Sequence, residues 1–186
     1  SERRRITVQY LKTYLKKITD RGNIKLAKSI SHTAEEVGNK YLKSFSFTSH
    51  EIGLLFGNVQ SGKTGQMFGI ICKATDLGFP VFVLLTTDNV VLQQQILDRV
   101  KADLDGFCIC GENDSRIFTE NNLFLPTIIV LKKNARVLKL WANIFNSTGF
   151  MRGNPLFIVD DEADAASLNT LVNKNRQSSI NKYLNV

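Results

Sequence analysis

The spacing of apolar residues divides the chain into two parts at about residue 50. Residues 1–49 carry apolar side chains at helical spacing, in two runs that the turn-forming residues 20–23 separate. The first stripe consists of Val8, Leu11, Leu15 and Ile18, and the second of Ala27, Ile30, Ala34, Val37 and Tyr41. We therefore predict two amphipathic helices that pack against the part of the chain that follows.

From residue 50 onwards, short apolar runs alternate with helical patterns. Strands are predicted at residues 52–56, 81–85, 127–131 and 156–159, and helices at residues 63–77, 90–104, 135–145 and 171–184. A weaker strand is predicted at residues 106–110 or at residues 116–119, and the polar residues 111–125 predict a surface excursion. The strands are apolar throughout, which indicates a parallel sheet covered by helices on both faces. We predict an α/β domain over residues 50–186, preceded by a helical extension over residues 1–49.

The net charge of +7 lies entirely in the predicted extension. Residues 1–49 contain 11 Lys and Arg against 4 Asp and Glu, whereas residues 50–186 contain 13 of each kind. Such asymmetry is typical of a segment that contacts a polyanion such as nucleic acid. A solvated helical face has the same composition, so both interpretations stay open at this point.

Several classes of protein do not fit the composition. The sequence contains no apolar run of the roughly 20 residues that a membrane-spanning helix needs, and no signal peptide opens it. The cysteines are Cys72, Cys108 and Cys110, and the two histidines lie too far away in the sequence to complete a zinc site. We predict a cytoplasmic protein with reduced thiols and without a membrane partner.

A glycine-rich segment stands between the strand predicted at residues 52–56 and the helix predicted at residues 63–77. It has the pattern G-x-x-x-x-G-K-T and consists of Gly57, Asn58, Val59, Gln60, Ser61, Gly62, Lys63 and Thr64. Its glycines let successive N–H groups point into one concavity, toward which the following helix directs its positive end. Lys63 can reach the β- and γ-phosphates, and the Thr64 hydroxyl suits Mg²⁺. We predict a phosphate-binding loop; the alternative is a turn that binds nothing.

An acidic cluster follows the strand predicted at residues 156–159. It reads Asp160, Asp161, Glu162, Ala163 and Asp164. Ligands of open α/β sheets bind at the carboxyl ends of the strands, so acids and phosphate loop are expected at the same edge. One carboxylate suits Mg²⁺, and the next is placed to orient or deprotonate an attacking water. The alternative is a solvated loop or a group of acids at a helix start.

These two motifs together resemble the first RecA-like domain of superfamily-2 helicases and translocases, and residues 161–164 match the DEAD box. The resemblance implies a RecA-like three-layer sandwich with a mostly parallel sheet, ATP and Mg²⁺ as cofactors, Asp161 as the magnesium acid and Glu162 as the catalytic base. The strings GNVQSGKT and DDEADAASLNT are also similar to the bacterial Z-one domain, over roughly residues 50–170. That similarity implies a part of a restriction or defence endonuclease.

The same resemblance implies two turns that meet the backbone of a nucleic-acid strand. The matching turns are residues 86–89 and residues 132–134, which hold Thr87, Lys132, Lys133 and Asn134. Hydroxyl and N–H groups at a helix start bind phosphate without reading sequence. The alternative is helix capping by Thr87 or Asn134 and a solvated lysine pair. Residues 17–56 contain no glutamine of the kind that reads adenine in DEAD-box RNA helicases. That absence argues against a true DEAD-box RNA helicase, so DNA is the expected partner, and it leaves specificity for adenine open.

Three functions remain open from the sequence. The first is the first motor lobe of an ATP-driven DNA helicase or translocase, with the second RecA-like lobe and the nuclease elsewhere in a longer protein. The second is another P-loop ATPase, either a ring or a nucleotide-dependent switch, that acts on a protein partner. The third is a binding module without catalysis in which the basic N-terminal helices contact DNA. The two motifs favour the first.

Overall fold

The apolar runs form a four-stranded sheet in the computed structural model, which describes residues 9–45, 62–150 and 154–161. The strands are β1 (Val81–Thr86), β2 (Cys108–Cys110), β3 (Thr127–Lys132) and β4 (Leu156–Asp160). They lie in the order β2-β3-β1-β4, and every neighbouring pair is parallel. The parallel sheet predicted from the sequence is therefore confirmed. The strand predicted at residues 52–56 and the helix predicted at residues 171–184 lie outside the described residues.

Strand β1 lies between β3 and β4, and all six of its residues are buried. Burial on both faces explains why its sequence is apolar throughout rather than alternating. Thr86 is paired with Lys132 of β3, and Leu85 is paired with Asp160 of β4. The carboxyl ends of these three strands therefore lie side by side along one edge of the sheet.

Six α-helices accompany the sheet in the described part of the chain. They are α1 (Tyr10–Asp20), α2 (Ile24–Val37), α3 (Lys63–Asp76), α4 (Val90–Asp103), α5 (Ser115–Asn121) and α6 (Ala135–Ser147). Of the two alternatives for the weak strand, residues 106–110 are confirmed by β2, whereas residues 116–119 belong to helix α5. Phe118 is the one buried side chain of α5. Its ring packs against Trp141 and Phe145 and so holds this short helix at a single point. Across the described ranges, no helix is long and apolar enough to span a membrane.

The two faces of the sheet bury separate apolar clusters. Phe82 and Leu84 of β1 point to a cluster shared with α1, α2, α3 and α4. Val81, Val83 and Leu85 point to the opposite cluster, which α5 and α6 cover. The alternation follows from the two-residue period of a strand, and it gives the layered α/β arrangement that the sequence predicted.

Helices α1 and α2 form an outer layer over α3. The predicted stripe residues Leu11, Ile18, Ala27, Ile30 and Ala34 are buried, together with Tyr14. Tyr41 was expected on the same face but is 43% exposed. The reason is a π-helical segment, Gly38–Leu42, whose wider turn rotates Tyr41 away from the buried side.

The contact between α2 and α3 is unusually close at two glycines. A Cβ atom on Gly69 would collide with the Cγ2 methyl of Ile30, and one on Gly65 would lie 3.1 Å from the Cδ1 atom of Ile30. At its other end α3 holds α1, because the Asp76 carboxylate accepts hydrogen bonds from the Tyr10 and Leu11 N–H groups at 2.8 and 3.1 Å. The outer layer is thus fixed to α3 at both ends.

Candidate functional site

Helix α3 begins at the carboxyl edge of the sheet with the last residues of the glycine-rich motif. Gly62 has a φ of 93°, a left-handed conformation that favours glycine, and its carbonyl accepts the hydrogen bond from the Gln66 N–H. Lys63 and Thr64 form the first turn, where backbone N–H groups have no partner within the helix. The rest of the predicted loop, residues 57–61, lies outside the described residues, as does Glu162.

Lys63 and Asp161 lie together at this edge. The Lys63 Nζ atom donates a hydrogen bond to the backbone carbonyl of Asp161 at 2.6 Å. The Asp161 N–H in turn donates to the Leu85 carbonyl at 3.0 Å, which extends the pairing of β4 with β1 by one residue. Two positions that are 98 residues apart in the sequence are therefore in direct contact.

The Asp161 carboxyl has a raised pKa, chiefly because burial disfavours its charged form. The Lys63 ammonium opposes this effect, Asp160 adds to it, and the more distant Arg99 and Lys133 oppose it. A bound cation would favour the charged carboxylate at this position. A cation at this position would therefore offset the effect of burial on the Asp161 carboxyl.

The oxygen atoms at this edge suit Mg²⁺. Thr64 has a hydroxyl that makes no hydrogen bond with the described residues, and Asp161 supplies a carboxylate. Within residues 9–45, 62–150 and 154–161, no three potential metal ligands form a group. Mg²⁺ at nucleotide sites takes one or two protein oxygens and completes its shell with phosphates and water. Thr64 and Asp161 therefore fit such an ion as a pair.

Asp160, for which the sequence predicted no separate role, forms an ion pair with Lys133 at 2.5 Å. Each of the two side chains is only 23% exposed. Lys132 is placed similarly, 3.7 Å from the Glu112 carboxylate. The alternative of a solvated lysine pair is therefore wrong, because both lysines are paired with acids. The pair of Asp160 and Lys133 was not predicted from the sequence, because it depends on the order of the strands in the sheet.

Helix capping by Asn134 is confirmed, whereas capping by Thr87 is wrong because a neighbouring residue caps that helix. The Asn134 side chain accepts hydrogen bonds from the N–H groups of residues 136 and 137 at the start of α6. Helix α4 is capped by Asn89, and Thr87 makes no such bond; its hydroxyl is buried without a partner among the described residues. The Asn134 amide also donates to Asp88 at 3.2 Å, which joins the two turns. Contact of these turns with phosphate stays a prediction.

The cysteines take no part in this edge. Cys108 and Cys110 point to one face of β2, with their sulfur atoms 4.0 Å apart. All three cysteines are free and buried, and burial raises the pKa of Cys72 and Cys110. A thiol with a raised pKa is a poor nucleophile at neutral pH, so Cys72 and Cys110 are packing groups.

The ion pair of Lys133 and Asp160 allows a first prediction. We expect Lys133→Met and Asp160→Asn each to lower the free energy of unfolding by about 1–2 kcal/mol, with a coupling of about 1 kcal/mol, because both groups are largely shielded from water. Urea unfolding of the two single variants and the double variant measures this coupling. The exposed pair of Lys16 and Asp20 is the control, with an expected coupling of about 0.3–0.5 kcal/mol. Equal couplings for the two pairs would contradict the prediction.

Comparison with known proteins adds no assignment to this geometry. No family model matches the chain, and neither a curated protein nor a solved structure is significantly similar to it. The chemistry of the edge therefore has to be inferred from its own residues. These are Lys63 and Thr64 at the start of α3, Asp161 against the Lys63 amine, and Asp160 against Lys133.

Proposed function

We propose that this chain is the ATP-binding and ATP-hydrolysing first motor lobe of a DNA helicase or translocase that belongs to a restriction or defence endonuclease. The observation that carries the proposal is the 2.6 Å hydrogen bond from the Lys63 amine to the Asp161 carbonyl. It joins the last part of the glycine-rich motif to the first acid of the DEAD sequence. The parallel sheet of this α/β fold supports the same interpretation, because ligands of such folds bind at the carboxyl edge.

Each residue of the edge has a role in this proposal. The N–H groups of the first turn of α3 and the Lys63 ammonium bind phosphate oxygens, and Thr64 and Asp161 hold Mg²⁺. A Mg²⁺ ion bound by these two residues would supply positive charge that offsets the charge of the phosphates. Glu162 orients the attacking water and takes its proton. The arginine that stabilises the transition state comes from the second RecA-like lobe, so this chain alone is expected to turn over slowly.

One contact supports the binding of nucleic acid, and two ion pairs favour a different partner. The hydrogen bond between Asn134 and Asp88 brings the two candidate turns together at the edge that holds Lys63. Against this, Lys132 and Lys133 both lie beside carboxylates, which lowers the positive charge available to a polynucleotide. That pairing favours the second candidate, a P-loop ATPase that acts on a protein partner as a ring or a switch.

Nucleotide binding and turnover test the proposal directly. We expect the chain to bind Mg²⁺-ATP weakly and to hydrolyse it slowly, and Glu162→Gln to keep the affinity within about twofold while lowering turnover by roughly 100-fold or more. Calorimetry and phosphate release measure the two quantities. Glu120→Gln, an exposed change on α5, is the matched control and should leave both unchanged. Failure of the wild type to bind ATP would refute the proposal.

DNA separates the two candidates. For a motor lobe, single-stranded DNA is expected to bind with an affinity that falls as salt rises, and Lys133→Gln is expected to weaken it and to flatten that salt dependence by about one unit of slope. For the competing ATPase, DNA is expected to bind this chain no more tightly than it binds a basic control protein. Turnover is then expected to depend on self-association instead. Vigorous DNA-stimulated hydrolysis by this chain alone would contradict the need for a second lobe.

A further inference from the structure

The positive charges of the outer helical layer fall into two groups, those that hold the fold together and those that stay free. Residues 9–45 contain eight Lys and Arg against three Asp and Glu. Lys16 pairs with an acid of its own helix, and Lys17 and Arg21 pair with acids at and just after the end of α4. The other five lysines are exposed and form no ion pair with the described residues; they are Lys12, Lys25, Lys28, Lys40 and Lys43.

Four of these free lysines form a row along α2 and the π-helical segment that continues it. The row, called the lysine row below, consists of Lys25, Lys28, Lys40 and Lys43. The opposite side of α2 carries Ala27, Ile30 and Ala34, which are buried in the cluster shared with α3. At about 1.5 Å per residue the row is roughly 25 Å long, which is the rise of about seven nucleotides along one strand of duplex DNA.

The acids of this layer leave the row positive. The Glu35 carboxylate accepts hydrogen bonds from the Lys73 amine of α3 at 3.1 and 3.0 Å, so its charge is already paired. Glu36 lies midway along the row, with its carboxylate 3.9 Å from the His32 ring. By contrast, the two lysines of the candidate turns at the sheet edge are both paired with acids. Free positive charge is therefore concentrated on α2 rather than at those turns.

The row begins beside the proposed phosphate helix. The Leu26 side chain packs against Gly62, where an added Cβ atom would lie 2.7 Å from the Leu26 Cδ1 atom. Three residues further along α2, the Ser29 hydroxyl accepts a hydrogen bond from the Gln66 amide at 2.9 Å. Both contacts are made with the first residues of α3, on either side of Lys63. A polyanion bound along the row would therefore end next to the proposed nucleotide edge.

The other end of the row adds an aromatic ring. Tyr41 is 43% exposed, and the Lys40 amine lies 5.3 Å from the centre of its ring. Exposed aromatic rings beside positive charges are typical of surfaces on which unpaired bases stack. A helix that lies on an anionic membrane inserts an apolar face, whereas the apolar faces of α1 and α2 are buried against α3. The surface therefore favours a single-stranded nucleic acid over a membrane.

We propose that the lysine row binds the phosphate backbone of single-stranded DNA and that Tyr41 stacks on one of its bases. The inference deepens the proposed function and rests on it for the choice of DNA. It assigns to the outer helical layer the free charge that the candidate turns lack. Because it does not depend on hydrolysis, the binding of DNA and the binding of nucleotide can be measured separately.

Titration of a labelled oligo-dT strand with the full chain, over a series of salt concentrations, tests the row. The double variant Lys25→Gln with Lys28→Gln is expected to raise the Kd for this strand by roughly tenfold and to flatten its salt dependence by about 1.4 units of slope, because each phosphate contact on a single strand contributes about 0.7. Glu36→Gln is expected to lower the Kd about twofold, since it removes negative charge from the row.

Tyr41→Ala tests the stacking separately from the charge. It is expected to raise the Kd for the strand by about fivefold or more while leaving the salt slope unchanged, because stacking releases no counterions. All of these variants are expected to keep the Kd for Mg²⁺-ATP within about twofold. A Tyr41→Ala variant that binds the strand as tightly as the wild type would overturn the assignment of the base contact.

The matched control is the double variant Lys101→Gln with Lys139→Gln, which removes two exposed lysines outside the row and lowers the net charge equally. Equal losses of DNA affinity in the two double variants would overturn the inference. An equal loss for Mg²⁺-ATP and DNA in the row variant would also overturn it, and so would equally tight binding to vesicles that contain phosphatidylserine. Binding that depends on Lys133 but not on the row would overturn it and leave the proposed function standing. A chain that binds Mg²⁺-ATP but no DNA would remove the inference together with the nucleic-acid part of the proposed function.

Discussion

Lys63→Ala is expected to weaken the binding of Mg²⁺-ATP by roughly 100-fold, which is about 2.7 kcal/mol. The Lys63 ammonium is the charged group at the start of α3, and hydrogen bonds from a charged donor contribute about 1.5–3 kcal/mol each. Its neighbour in the structure is a backbone carbonyl, so the amine can turn to a phosphate without breaking an ion pair. Calorimetric titration with Mg²⁺-ATP measures the loss.

The control for this variant is Lys139→Ala, which removes an exposed lysine from α6 on the opposite face of the sheet. It lowers the net charge equally and should leave the affinity within about twofold, because exposed charges at long range are screened by salt. Lys63→Ala also removes the bond to Asp161, which should cost about 1 kcal/mol of stability. If Lys63→Ala bound ATP as tightly as the wild type, the assignment of α3 as the phosphate helix would be wrong.

Gly69→Ala is expected to lower the free energy of unfolding by about 3 kcal/mol, the upper part of the usual range for overpacking. The new methyl group would collide with the Cγ2 atom of Ile30, a fully buried side chain on α2. The better helix propensity of alanine offsets only about 1 kcal/mol of the collision. In a domain of this size, the expected fall in Tm is roughly 6–12 °C by scanning calorimetry.

Two further variants show whether the collision is the cause. Ile30→Leu removes the branch methyl that Gly69→Ala meets, so the double variant is expected to recover about half of the lost stability. Gly65→Ala is the matched control on α3, because its methyl group meets the flexible end of Ile30 and should cost no more than about 1 kcal/mol. Similar losses for both glycines, or no recovery in the double variant, would show that the close contact of α2 and α3 is not the cause.

Much of the fold is predictable from the sequence because burial determines the pattern. Strands β1 and β3 are covered on both faces. Their unbroken apolar runs fit neither an amphipathic helix nor a half-exposed strand as well as they fit a buried strand. The predictions failed where local shape matters more than burial. Tyr41 follows a π-helical turn that no apolar spacing reveals, and residues 116–119 form a short helix anchored by a single side chain, Phe118.

The candidate site divides in the same way. Contact between Lys63 and Asp161 follows from a general rule, since the ends of parallel strands meet at one edge. The pairing of Asp160 with Lys133 depends on strand order, because β1 lies between β3 and β4 and the two residues reach across its end. Two strand spacings amount to roughly 10 Å, which a long lysine side chain helps to span.

The position of the outer layer in the chain has a consequence for how the protein is made. Tyr10 contacts Asp76 and Gly106, which are 66 and 96 residues further along, so α1 leaves the ribosome long before its partners do. At about 5–20 residues per second, roughly 5–20 s pass before Gly106 has been synthesised. Until α3 has been synthesised, the apolar side chains of α1 and α2 lack the helix against which they pack in the folded protein. The segment that later packs over α3 therefore exposes apolar surface on the nascent chain until its partners follow.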